Sequence, residues 1–250
     1  MASPLTALSL TPAAREWLSH TTSARVLNVF DRACNLINQE EAILALVTSE
    51  RGLTPFAMVV APAARTPFRA VSETSAVRVE SNRLRVGDLQ IEFGAASVWN
   101  PTPDWPAVRR LFADQAGLIE ALTAAAIEAA PAGSLLELFS RAEARTTNAL
   151  MLERTREGAV MLGNGLRGGA VEGCVAGAKR LAGLGGGLTP AGDDFIVGVL
   201  LAVWAGLYGD GREQLGVAIA GAAAPSTTAL SAAYLRSRSE ERRVGKECRL

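Results

Sequence analysis

The stretch richest in chemistry runs from Leu184 to Asp194, LGGGLTPAGDD, and leads directly into the apolar run FIVGVLLAVW. A glycine-rich loop that enters a hydrophobic helix is suited to gripping an anion. Glycines at 185, 186 and 187 let the main chain turn through positive φ and bring its N–H groups close to a ligand (Gly185, Gly186, Gly187). The helix that follows adds unsatisfied N–H donors and a partial positive charge, which favour phosphate or carboxylate. Thr189 supplies a hydroxyl donor, and Pro190 stiffens the turn. Asp193 and Asp194 bring the opposite charge. One can cap the helix by accepting backbone N–H bonds; the other, diverging from it, is left to orient an amide, bind Mg²⁺ or move a proton. Two carboxylates repel an anion, so a phosphate here calls for a basic residue, and Arg167, Lys179 and Arg180 are nearest in sequence. The loop is not a Walker A motif, because no Gly-Lys-Ser or Gly-Lys-Thr occurs. It is not a dinucleotide fingerprint either, because no strand is predicted just before it.

Four other places carry polar groups that could meet a ligand. Arg32-Ala33-Cys34-Asn35-Leu36 gathers a guanidinium, a thiol and an amide in what reads as one turn; Asn35 either holds that turn or reaches a substrate. Asn148, in the run Arg145-Thr146-Thr147-Asn148, is a poor helix former and is a candidate to face a site. Ser226, Thr227 and Thr228 follow Pro225 and precede a helix with Ser231 on its expected open face. Capping uses one of those hydroxyls and leaves Thr227 and Thr228 among the substrate-binding candidates. Met161 to Gly169 reads as a second glycine-rich loop, equally able to line a pocket. His20, beside Thr21 and Thr22, is expected at the surface.

Composition narrows the field. The chain has 250 residues, 49% of them hydrophobic, with 25 basic against 25 acidic side chains. So apolar a chain can offset its ordering entropy by burial, and intrinsic disorder is excluded. The neutral balance leaves no electrostatic footprint for nucleic acid or an anionic membrane. His20 is the single histidine, which leaves a His-based zinc site or a Ser-His-Asp triad almost nothing to work with, and Cys34, Cys174 and Cys248 lack metal-ligand spacing, so no His or Cys metal site is expected. No signal peptide is read at the start, and the apolar run Phe195–Tyr208 is too short to span a bilayer. A cytoplasmic protein with reduced thiols is the expectation.

The elements that must position these residues divide in two. Over residues 1–100, short β-branched runs at Arg25–Phe30, Ala42–Thr48 and Pro55–Ala61 are followed by period-two alternation at Ala76–Glu80, Arg83–Val86 and Leu89–Phe93. Ser81-Asn82 and Gly87-Asp88 read as hairpin turns. With no helix-length segment between the runs, an antiparallel meander or barrel-like part is predicted. Asn100-Pro101-Thr102-Pro103 ends it. Over residues 101–237 the pattern becomes helical: Asp104 as N-cap of a helix reaching Ala130 with a break at Gln115, then Leu135–Leu152, Val171–Leu184, Asp193–Leu207, Arg212–Ala223 and Thr227–Arg236. The fold class is therefore α+β, a β-rich front followed by a helical back.

At LGGGLTPAGDDF, read with RACNL upstream and TTALSAAYLR downstream, the sequence resembles a bacterial domain-of-unknown-function family that includes the AllH subunit of oxamate carbamoyltransferase, an enzyme of anaerobic allantoin breakdown. Gly183, Leu184, Gly185, Gly187, Leu188, Thr189, Pro190, Gly192, Asp193 and Asp194 match its main signature, and Ala191 stands where a serine is usual. Thr227, Thr228, Ser231, Tyr234 and Leu235 match a second one. The resemblance implies a subunit that transfers a carbamoyl group between oxalurate and phosphate, giving oxamate and carbamoyl phosphate, beside other carbamoyltransferase subunits. It implies phosphate on the donors of Gly185–Thr189 and a free carboxylate of Asp193 or Asp194 on an amide N–H. The alternatives are a non-catalytic anion-binding or assembly subunit, or a paralogue acting on another substrate. The segment Arg238–Cys248, RSEERRVGKEC, resembles a translated sequencing adapter, so residues 238–250 are read as a non-native tail.

Overall fold

The computed structural model describes residues 4–51, 54–61, 66–130, 134–136 and 149–239. They fall into two compact units, divided between Thr102 and Pro103.

The first unit is a β-barrel built from short strands in which alternate residues point inward. In chain order it contains β1 (Leu5–Leu10), α1 (Pro12–His20), β2 (Ser23–Phe30), β3 (Ala33–Ile37), β4 (Ile43–Thr48), β5 (Ala57–Val60), β6 (Ala76–Glu80), β7 (Arg83–Val86), β8 (Leu89–Glu92) and β9 (Ser97–Val98). The strand order is β5-β4-β3-β2-β6-β7-β8-β1, and β1 also pairs with β5, which closes the ring; β9 adds a short further pairing to β1. Closure removes the open edges that an eight-stranded sheet would otherwise present. The inward positions Cys34, Leu36, Leu44, Leu46, Met58, Val60, Leu84, Val86 and Ile91 form one core, and Ala14, Trp17 and Leu18 of α1 join it. Thr11 starts α1 by accepting the Ala14 N–H at 3.2 Å, and the Trp17 indole donates to the Ala42 carbonyl at 2.9 Å.

The barrel-like front follows the reading from alternation, with two corrections. The sheet is mixed: β4–β5, β1–β8 and β1–β9 are parallel, and the rest antiparallel. The chain returns from β4 to β5 through residues 49–56, a shorter link than a helical crossover needs, so the lack of a helix did not exclude parallel pairing. The segment Ala33–Leu36 is not a turn but most of β3; the turn is only Asp31-Arg32, and Cys34 and Leu36, two residues apart, both join the barrel core, which explains why.

The second unit is helical: α2 (Trp105–Asp114), α3 (Ala116–Glu128), α4 (Ala149–Gly168), α5 (Val171–Leu181), α6 (Ala191–Ala202), α7 (Arg212–Ala223) and α8 (Ala229–Ser239). Asp104 caps α2 through the Ala107 N–H at 3.0 Å, and Gln115 separates α2 from α3. The helix read over Leu135–Leu152 lies mostly outside the described residues. Leu162, Cys174, Ala178, Leu181, Ile196, Leu200, Leu215, Ile219 and Leu235 make the core.

Met161–Gly168 is the C-terminal half of α4, not a second glycine-rich loop. Its glycines serve packing: a Cβ on Gly165 would lie 2.6 Å from the Cys174 backbone nitrogen, and one on Gly177 would lie 2.6 Å from that of Leu162. Only bare backbone lets α4 and α5 approach so closely, which outweighs glycine's poor helix propensity. Gly169, at φ +66°, ends the helix in the left-handed region.

Candidate functional site

Between α5 and α6 the chain makes an exposed arch. Gly183, Gly185 and Gly187 adopt φ of +72°, +113° and +92°, values that side-chain-bearing residues avoid. Residues 185–188 are exposed, and nothing lies within 4 Å of where a Cβ would stand on Gly186 or Gly187. The base of the arch is tight: the Gly192 N–H donates to the Leu184 carbonyl at 2.9 Å, and a Cβ on Gly192 would meet the Leu181 carbonyl oxygen at 2.1 Å. Thr189 is half-buried at the foot of the arch, and Pro190 is the N-cap of α6 with no side-chain cap bond.

The two acids divide, though not as capping chemistry suggested. Neither side chain caps α6. Asp193 is 1% exposed, and its carboxylate ties the arch from behind: Oδ1 accepts the Gly183 N–H at 2.9 Å and Oδ2 accepts the Thr227 hydroxyl. A carboxylate so buried is tolerated because both oxygens are hydrogen-bonded. Asp194, the next residue, is exposed. Partial desolvation, and then the neighbouring charge of Asp193, hold its carboxyl above the usual carboxylate range.

The start of α8 holds the arch from the other side. Thr228 donates its hydroxyl to the Leu188 carbonyl at 2.6 Å, and the same oxygen accepts the Ser231 N–H at 3.1 Å, so Thr228 and not Ser226 is the helix cap. Ser231 is buried rather than on an open face, and its hydroxyl has no hydrogen-bond partner among the described residues. The signatures around 184–194 and 227–235 thus form one assembly. Gly185, Gly186, Gly187, Thr189, Asp193, Asp194, Thr227 and Thr228 are brought together.

Other candidates lie elsewhere. Asn35 belongs to the barrel unit, on β3, where its amide donates to the Asn28 side chain at 2.6 Å across the β2–β3 pair. Asn148 is outside the described residues. Of the three basic residues, Arg180 pairs with Glu157 and Arg167 donates to Asn164 at 2.6 Å. Arg167 lines an open groove of about 310 Å³ together with Phe195, which follows Asp194 in α6. Lys179 lines another, with Val160 and Met161. His20 is exposed at the end of α1. Among the described residues, no three His, Cys, Asp or Glu side chains are grouped to hold a metal ion, and no helix is long and apolar enough to cross a membrane. Tethering of the arch by Thr227 and Thr228 was missed at the level of sequence. The only signal available was that two hydroxyl residues precede a helix that needs one cap.

Neither the curated proteins nor the solved structures contain a match to this chain. Two family models do match it. Residues 6–98, which span the barrel, match the AllH family N-terminal domain, and residues 181–248, which include the arch, Asp193, Asp194, Thr227 and Thr228, match oxamate carbamoyltransferase subunit AllH. These two segments make up well over half of the sequence and occur in the expected order, so the chain belongs to the AllH family of oxamate carbamoyltransferase subunits.

Proposed function

We propose that this subunit binds the phosphate or carbamoyl phosphate of the oxamate carbamoyltransferase reaction at the 185–189 arch, and that Asp194 works on the amide being made or broken. The observation that carries this reading is the contrast between the arch's two sides. Its outer side offers exposed main chain with no side chains at three consecutive positions, while its inner side is tied by Asp193, Thr227 and Thr228. Donors held in place before the ligand arrives stabilise charge without reorganisation.

In the direction of phosphorolysis, a phosphate oxygen attacks the carbamoyl carbonyl carbon of oxalurate. The bond from that carbon to the oxamate amide nitrogen breaks, and the nitrogen takes up a proton as oxamate leaves. The N–H groups of the arch meet the phosphate charge. Asp194, whose carboxyl binds its proton more tightly than usual, is suited to deliver the proton, and in reverse to accept it. Asp193 is a positioning residue, since both of its oxygens are already engaged. Arg167, in the groove beside Phe195, is the basic group proposed to balance the acids. Holding a Mg²⁺ ion is the alternative role for Asp194 and not an additional one, because a carboxylate that ligates the metal is deprotonated and cannot also deliver the proton. The other subunits of the enzyme are the partners this activity requires, and oxalurate and oxamate are its organic substrates.

Oxalurate phosphorolysis by the assembled enzyme tests the role of Asp194. Asp194→Asn keeps the shape and removes the proton transfer. The proposal expects kcat to fall by about 10²-fold or more, the usual worth of a positioned acid or base. Unchanged turnover removes Asp194 from the mechanism. The second reading, a non-catalytic anion-binding subunit, rests on the same arch; it is favoured if phosphate binds while Asp194→Asn leaves the rate intact.

A further inference from the structure

The groove between α4 and α6 carries an arginine that the proposed reaction leaves unused. α4 runs antiparallel to α5: a Cβ on Gly173 would lie 3.2 Å from the Gly165 Cα, and one on Gly158 would lie 2.8 Å from the Leu181 side chain. Leu181 also closes on the start of α6, where its carbonyl oxygen stands 2.1 Å from a Cβ on Gly192. Gly158 and Gly192 thus meet the same residue, and the stretch of α4 just before Gly158 lies level with the foot of the arch. Arg156 is in that stretch. It lines the groove together with Ala159, Leu162 and Phe195, the residue after Asp194.

Arg156 is exposed, and among the described residues its side chain makes no hydrogen bond or ion pair. Glu157 beside it is taken by Arg180, and Glu153, one turn earlier, does not pair with it. Arg167, the basic group already assigned to the acids, donates to Asn164, so Arg156 is the arginine of the groove still open to a ligand. The carbon walls given by Ala159, Leu162 and Phe195 make a charge pair there less screened than one on an open surface. Oxalurate has its own charge in the right place. Its carboxylate lies at the end away from the carbamoyl group, and the bond that breaks joins the carbamoyl carbon to the amide nitrogen. The carboxylate takes no part in that step, so its charge serves binding and orientation alone. With phosphate on the arch and the amide at Asp194, the oxamate half extends away from the arch, and the groove beside Phe195 is open to it. A guanidinium meets a carboxylate edge to edge through two parallel N–H···O bonds. The groove's volume of about 310 Å³ is that of a small-molecule site.

We propose that Arg156 holds the carboxylate of oxalurate, and of oxamate after transfer, in the groove between α4 and α6. This rests on the reading that the substrate's amide lies at Asp194. In the assembled enzyme, Arg156→Gln should raise both the KM for oxalurate and the inhibition constant of oxamate at least about tenfold, the worth of a lost charge-assisted pair. The KM for phosphate should stay within about twofold, and the Tm should not change. Arg156→Lys keeps the charge without the fork and should recover part of the loss. Arg154→Gln makes the same change of charge about 200° around the helix, away from the groove, and should move neither constant. The inference is overturned if Arg156→Gln leaves the oxalurate and oxamate constants unchanged, if it raises the KM for phosphate instead, or if Arg154→Gln acts as strongly. Gly187→Ala separates this from the arch: if that variant leaves the KM for phosphate unchanged while Arg156→Gln raises the KM for oxalurate, the carboxylate site stands and phosphate binding at the arch falls.

Discussion

Thr227 donates its hydroxyl to the Asp193 carboxylate across 34 residues of chain, and the same carboxylate accepts the Gly183 N–H. One buried acid therefore joins the loop before α6 to the approach of α8. Asp193→Ala leaves the Gly183 N–H and the Thr227 hydroxyl without their acceptor, and should cost about 2–4 kcal/mol in urea denaturation. Thr227→Val should cost about 1–2 kcal/mol, and the double variant less than the sum, because the two changes remove one shared bond.

The neighbouring acid gives stability a pH dependence of known sign. The carboxyl of Asp194 is raised from 3.8 in the folded chain by desolvation and then by Asp193, so the folded state binds this proton more tightly than the unfolded one. The stability contributed is complete below 3.8 and is lost as pH rises through the folded value. Asp194→Asn removes the penalty. Its Tm should exceed that of the wild type near pH 7, and the difference should close on acidification below pH 3.8.

Glycines of the arch should respond oppositely to a methyl group. Gly192→Ala places a carbon 2.1 Å from the Leu181 carbonyl oxygen, backbone against backbone, and should cost about 3 kcal/mol or more, or prevent folding. Gly186→Ala meets open space and should change stability by no more than about 0.5 kcal/mol. Thermal denaturation of the two variants separates the tight base of the arch from its exposed crown.

The thiols described in the structure should be inert. Cys34 is fully buried in the barrel, and burial pushes its pKa up to about 12; the thiol of Cys174, on α5 where it packs against α4, is raised for the same reason. Thiolate is the reactive form. Mass spectrometry after iodoacetamide treatment near pH 8 should find both unmodified in the native chain and both alkylated after denaturation.

Much of this architecture is legible in local pattern because local physics decides it. Period-two alternation located β6, β7 and β8, and Asp104, Gln115 and the apolar spacing marked α2 and α3. The misreadings at 33–36 and 161–168 share one cause, partners distant in sequence, whereas the parallel β4–β5 pair was hidden by the shortness of its connection. Ala33–Leu36 looks like a turn until Leu36 and Cys34 find the barrel core, and Met161–Gly168 looks like a loop until α5 demands bare backbone against it. The site divides the same way. An exposed glycine loop before an apolar helix is visible at 184–194. The use of Asp193 to bind Thr227, and of Thr228 to bind Leu188, depends on where α8 returns, and no local spacing carries that.

The central claim is that the main-chain donors of the arch hold the phosphoryl group. Its most direct test is the KM for phosphate in oxalurate phosphorolysis by the assembled enzyme, comparing the wild type with Gly187→Ala. Gly187 sits at φ +92° with open space around it, so alanine distorts the arch without meeting a neighbour. Loss of one charge-assisted hydrogen bond corresponds to about tenfold or more in affinity. The account predicts a KM for phosphate raised at least about tenfold, with the KM for oxalurate much less affected; an unchanged KM for phosphate would contradict it.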